Sequence, residues 1–139
     1  MSEKETPGLE AVGTAEMEAE HELLVNILHE LQAALVEGRN DSVPELLTRF
    51  EDAASMHFME EQTLMRLHAY PGYAAHEQEH DNLIAELRDL SRRIADGKLG
   101  GVAEAAKGLE DWLMVHMNTT DEALEEYMRQ AGVRPGNPS

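Results

Sequence analysis

Six residues able to bind a metal or carry a proton recur at core-facing helical positions: His21, His57, Glu61, His76, His80 and His116. His57 and Glu61 stand four residues apart, as do His76 and His80, so each pair projects from one face of a helix. An ionisable group buried without a partner is costly, so six of them in one layer need a common partner. Taken singly, each could be a separately satisfied or snorkelling residue. Taken together, with ligand spacing inside two pairs, they point to a metal site. Imidazole and carboxylate without thiolate suit iron, zinc, copper or nickel, and carboxylates shared between two ions suit iron especially. The chain has no cysteine. That excludes disulfides, thiolate zinc or iron–sulfur sites, and cysteine nucleophiles.

Asp121 is a seventh candidate, five residues after His116. On a regular α-helix that spacing is about 140° off one face, so periodicity does not pair the two. Either the helix is locally widened, as in a π-bulge, or the carboxylate reaches across from the flank.

Four helical stripes must position these groups. The first carries Met17, His21, Leu24, Leu28, Leu31 and Leu35, with Thr14 as a candidate N-cap and Gly38 as its stop. The second runs Leu46, Phe50, Ala54, His57, Glu61, Leu64 and His68. It opens on a capping box, Ser42 with Glu45, and closes at Tyr70-Pro71-Gly72-Tyr73. The third runs from Tyr73 through His76, His80, Leu83, Leu87 and Leu90 to Ile94 and stops at Asp96-Gly97. The fourth carries Val102, Ala106, Leu109, Trp112 or Leu113, His116, Thr120, Leu124 and Tyr127, and ends at Gly132 and Pro135. Short linkers make consecutive helices antiparallel. The expected architecture is all-α, an up-down-up-down antiparallel four-helix bundle over residues 14–131. Residues 1–13 read as an N-terminal arm and 132–139 as a flexible tail.

The chain has 139 residues, one domain by length, and 42% are apolar, enough for a core. Its formal net charge of −17 makes nucleic acid and anionic membrane poor partners. Apolar runs such as Ala33–Val36 are too short to span a bilayer. The polar start MSEKETPGLE lacks the apolar centre of a signal peptide, so the expected address is the cytoplasm.

The segment His57-Phe58-Met59-Glu60-Glu61-Gln62-Thr63-Leu64-Met65 resembles the HFxxEexxM segment of hemerythrins. His76-Glu77-Gln78-Glu79-His80 resembles their HxxxH, and Trp112-Leu113-Met114-Val115-His116 followed by Asp121 resembles their WLxxHxxxxD. Glu20-His21-Glu22-Leu23-Leu24 is similar to the first-helix histidine segment, and the likeness runs from about residue 12 to about residue 129. It implies two iron ions per chain in an oxo- or hydroxo-bridged centre. His76, His80 and His116 would hold one, His21 and His57 the other, with Glu61 and Asp121 bridging. It further implies reversible binding of dioxygen at the two-histidine iron, as carrier, store or delivery protein, without catalysis. Many bacterial members carry a Trp in the arm and an Asp three residues before the first histidine. This arm has no Trp, and that position is Glu18.

Leu24, Phe58, Trp112, Leu113 and Met117, with Ile27 and Leu28, are candidates for an apolar wall around the open iron, though helical core spacing alone accounts for such residues. His29 reads as exposed, and His68 lies about 10 Å along the axis from Glu61, which suits a helix-end role. The Met-rich neighbourhood reads as adaptable packing, and Glu18–Glu22 and Glu122–Glu126 as solvated faces. A diiron peroxidase or oxidase, or a sensor of oxygen, nitric oxide or iron acting through a separate partner, stands as the alternative.

Overall fold

The computed structural model describes residues 15–131; the arm, the Thr14 cap, the stop at Gly132 and Pro135 and the C-terminal tail lie outside them. Helix α1 spans Ala15–Glu37, α2 Val43–Leu67, α3 Tyr73–Ala95 and α4 Val102–His116. A π-helical turn, Met117–Asp121, joins α4 to α5, Glu122–Gln130, so the fourth arm is one rod with a wide turn in it. α1 packs on α2 and α4, and α3 packs on the same two, which closes the expected antiparallel ring.

The stops follow their chemistry. Gly38 and Gly97 both adopt left-handed φ, +74° and +75°, which costs glycine nothing. At the first, Arg39 N–H reaches back to the Ala34 carbonyl (2.8 Å); at the second, Lys98 N–H reaches Arg93 (2.8 Å). The end of α2 departs from expectation. It comes before Tyr70-Pro71-Gly72, with His68 as cap and Ala69 in the left-handed region at φ 51°. Tyr127 of α5 donates its hydroxyl to the His68 carbonyl (2.9 Å), tying this strained turn to the far helix. The capping box is also corrected. Asn40–Ser42 form a 3-10 turn, and Ser42 sits there in right-handed helical geometry without a side-chain cap bond. The chain therefore enters α2 already wound, and Pro44 fits its first turn.

The core is split. Leu24, Leu28, Leu31, Phe50, Leu83, Leu87, Leu109 and Leu113 belong to a large apolar cluster running away from one side of the histidine layer. Met17, Leu64, Met65, Leu124 and Met128 form a small one on the other side, with Tyr70, Tyr73 and Tyr127 packed against it. Along each helix the candidate ligands fall between the two clusters, with Phe58 of the large cluster set between His57 and Glu61 on α2. A polar layer thus occupies a full cross-section of the bundle, with apolar packing above and below it.

Candidate metal centre

The seven candidates meet in two groups. Ligand-type atoms of Glu61, His76, His80, His116 and Asp121 lie within 4.8 Å of one another, and those of His21, His57, Glu61 and Asp121 do the same. Both carboxylates belong to both groups, each through a different oxygen. Glu61 Oε1 is 3.2 Å from His76 Nε2 and 3.0 Å from His80 Nε2, while Oε2 is 3.3 Å from His57 Nε2. Asp121 Oδ1 is 3.1 Å from His76 Nε2 and 3.2 Å from His116 Nε2, while Oδ2 is 3.1 Å from His21 Nε2. His21 Nε2 and His57 Nε2 are themselves 3.2 Å apart. Six of the seven are buried, and His21 is partly exposed, at 17%.

The wide turn brings Asp121 in. Its extra residue lets a carboxylate five positions on fall where the fourth would fall in a regular helix. Of the two routes left open by the sequence, the widened helix is the one present. Thr119 donates its hydroxyl to the Val115 carbonyl (2.6 Å) within this segment.

These residues fit a metal. Among the buried atoms that face one another in these two groups, five make no well-formed hydrogen bond: Glu61 Oε2, His80 Nε2, His116 Nε2, Asp121 Oδ1 and Asp121 Oδ2. Buried polar atoms are rarely left this way, and here the five converge. The donor set, imidazole nitrogen and carboxylate oxygen, is that of a first-row transition metal.

A family model for the hemerythrin HHE cation-binding domain matches residues 12–127. The chain belongs to the hemerythrin family. A bacteriohemerythrin of Methylococcus capsulatus is 26% identical over 103 residues, 74% of this chain and 79% of the relative. One of Ralstonia nicotianae is 26% identical over 121 residues, 87% and 85% of the two. A hemerythrin chain of Sipunculus nudus is 31% identical over 94 residues, 68% and 73%. No solved structure gives a significant match.

In this hemerythrin-family centre the outward ring nitrogens are held as well. His57 Nδ1–H donates to Glu20 (2.6 Å), His116 Nδ1–H to Glu79 (2.6 Å) and His80 Nδ1–H to Gln62 (3.2 Å). Glu79 also accepts the Thr120 hydroxyl (2.9 Å). Such bonds fix the tautomer that leaves Nε2 free to face the centre. The sequence reading missed these four residues and placed Glu20 on a solvated face. The usable signal was the Glu-His dipeptide at Glu20-His21 and again at Glu79-His80. In each, the histidine turns inward while the glutamate reaches a histidine of the next helix.

Electrostatics follow from this packing. Burial opposes charge on His57 and His76, but the neighbouring carboxylates outweigh it and raise both to about 9. Burial also opposes charge on Glu61, yet the close approach of His57, His76 and His80 pulls it down to about 2. The same contest, won by His116, His21 and His76, holds Asp121 far below the usual carboxylate range. Burial, only partly offset by Glu61, lowers His80.

The apolar candidates divide. Leu24, Phe58 and Leu113 are buried in the large cluster, as are Ile27 and Leu28, and Trp112 and Met117 pack on it half-buried. Phe58 stacks on His80 (3.8 Å between centroids, 4° between planes) and Trp112 on His116 (4.7 Å, 12°). Both therefore brace the three-histidine group. His29 is exposed, as expected, and bonds Glu110 of α4 (2.8 Å). His68 caps α2, the helix-end role expected of it.

Proposed function

We propose that this chain holds a pair of non-haem iron ions and binds dioxygen reversibly at them, as a carrier, store or delivery protein. The observation that carries the reading is the splitting of Glu61 and Asp121, each of which offers one oxygen to a three-histidine group and the other to a two-histidine group. His76, His80 and His116 would hold one ion, and His21 and His57 the second, with fewer protein donors and so room for a small ligand. When bound, the iron pair supplies the electrons that dioxygen takes up. The protein supplies the rest. Glu20, Gln62 and Glu79 keep the rings oriented. Leu24, Leu113 and Phe58 keep water from the buried side of the centre, which slows irreversible oxidation.

The naming of two relatives as bacteriohemerythrins and a third as a hemerythrin supports the same reading. No helix among the described residues is long and apolar enough to cross a membrane. The test is anaerobic reduction of iron-loaded protein followed by air, with metal content and the absorption spectrum followed in time. Two irons per chain and an oxygenated band that vanishes on degassing support the proposal. One tightly held zinc, or rapid turnover of a reductant, overturns it.

A further inference from the structure

A carrier whose irons have lost electrons to escaping dioxygen must regain them before it can bind again. Six of the seven candidate ligands are buried, so those electrons have to cross protein. Electron tunnelling falls off steeply with distance, and more steeply across gaps than through packed atoms. A ring that touches both a ligand and the solvent is therefore a favoured crossing.

Trp112, the chain's single tryptophan, is such a ring. On one side it lies against the His116 imidazole, nearly parallel to it. It is half-buried, and it also lines an open cleft of about 540 Å³ between α3 and α4, together with Leu90, Gly108 and Leu109. Phe58 stacks on a ligand too, but at 4% exposed it leaves a solute almost no ring to touch. His21 is partly exposed, but it belongs to the half where dioxygen would sit.

The cleft is of a size that holds a small molecule, and an indole in its wall favours a flat aromatic one. Its charged lining residues are Glu86, Asp89 and Arg93, and the Arg93 guanidinium is already bonded to the Gly100 carbonyl (2.8 Å). A net charge of −17 works against any anionic visitor.

We propose that the cleft between α3 and α4 receives an uncharged, flat aromatic electron donor of the reduced-flavin class, and that Trp112 and His116 carry its electrons to the metal pair. This rests on the iron reading above. Each of two ferric ions gains one electron and becomes ferrous. The reduced flavin loses two electrons and is oxidised, and its two ring protons pass to solvent. Electrons then enter by the three-histidine half, and the two-histidine half stays open for dioxygen. Glu61 and Asp121, shared by both groups, connect the two.

The experiment mixes oxidised, iron-loaded protein anaerobically with photoreduced riboflavin and follows the loss of the oxidised-iron absorption. Trp112→Leu removes the ring and Trp112→Phe keeps a smaller one. Gly108→Phe fills the cleft and leaves Trp112 in place; a Cβ at Gly108 meets nothing within 4 Å, so the new side chain displaces no neighbour at its root. Met56→Phe is the control for an added ring. Met56, Met59 and Met114 are exposed, not the packing residues that the sequence suggests, and none of them lines this cleft. Expected is reduction several-fold slower in Trp112→Leu and Gly108→Phe, largely recovered in Trp112→Phe and unchanged in Met56→Phe, at equal iron content. A second readout needs no metal. Titrating oxidised riboflavin into metal-free protein should quench the single tryptophan's emission saturably, and Gly108→Phe should abolish the saturation. If Gly108→Phe is reduced as fast as wild type and quenched alike, electrons enter elsewhere, as at His21, and this proposal falls alone. Protein that holds no iron pair overturns the reading of the centre, and the metal-free titration still decides whether the cleft takes a flavin.

Discussion

His116 Nε2 and Asp121 Oδ1 lie 3.2 Å apart although they stand five positions apart on one helical rod. The wide turn between them amounts to one inserted residue whose effect is absorbed within a single turn. Leu124 and Met128 consequently still face the core beyond it. Deleting the exposed Asn118 should then leave a regular helix with the carboxylate four residues from His116 and the same face inward. Metal content is expected to match that of the unaltered protein. Inserting one Ala after Asn118 should instead turn the carboxylate by about 100° and abolish binding at both halves. Metal analysis of the two proteins side by side decides it, and a deletion that loses all metal would show that the wide turn supplies more than register.

Glu79 holds two partners, His116 Nδ1–H and the Thr120 hydroxyl next to Asp121. It therefore positions one ligand on each side of the wide turn. Glu79→Ala should weaken metal binding by roughly 10–100-fold, the usual effect of losing an outer partner of a ligand. Glu79→Gln retains an acceptor oxygen and should recover most of that loss. Competition against a graded series of chelators measures both. Equal affinities for Ala and wild type would reduce the contact to a surface bond.

Metal uptake should depend on pH with a definite sign. In the metal-free protein His57 and His76 hold their protons up to about 9, while Glu61, near 2, and Asp121, lower still, are already ionised. At pH 7 the entering cation must expel protons from imidazoles, not from carboxylates. Affinity therefore rises with pH from 6 towards 9 and flattens beyond it. The same shifts stabilise the metal-free fold fully below the ordinary histidine value near 6.5, and that contribution is lost as pH climbs through about 9. Calorimetric titrations in buffers of different ionisation enthalpy should show net proton release at pH 7. Uptake with no proton released would contradict the arrangement.

The bundle was legible from period and punctuation, because ligand and apolar side chains share one stripe per helix and Gly38 and Gly97 stop two of the helices. The candidate ligands were legible because a buried histidine is costly and four-residue spacing is local. What the sequence concealed depends on contacts between helices. His57 meets Glu20, and His116 meets Glu79, across 37 residues, and no spacing rule reaches that far. The end of α2 was misplaced for a similar reason. Ala69 is a poor left-handed residue, and it is held there by a tyrosine that arrives from α5. The Ser42–Glu45 pattern misled because a 3-10 turn already precedes the helix.

Leu113 tests whether the apolar wall matters to the chemistry or only to packing. It is 1% exposed, in the large cluster, and sits one turn before His116 on the same rod. Leu113→Ala removes a fully buried side chain and should lower stability by about 2–5 kcal/mol, with the fold surviving. The space left beside the ligands admits water, so the oxygenated form should decay faster by severalfold. Iron content should not change, because no donor atom is touched. Leu87→Ala serves as the control: Leu87 is equally buried in that cluster but lies seven residues, about 10 Å along its helix, beyond His80. A comparable loss of stability with an unchanged decay rate is expected there. If both variants decay at the same rate as wild type, Leu113 is ordinary core. If both decay equally fast, general loosening of the bundle accounts for the effect, and a water-excluding wall at Leu113 does not.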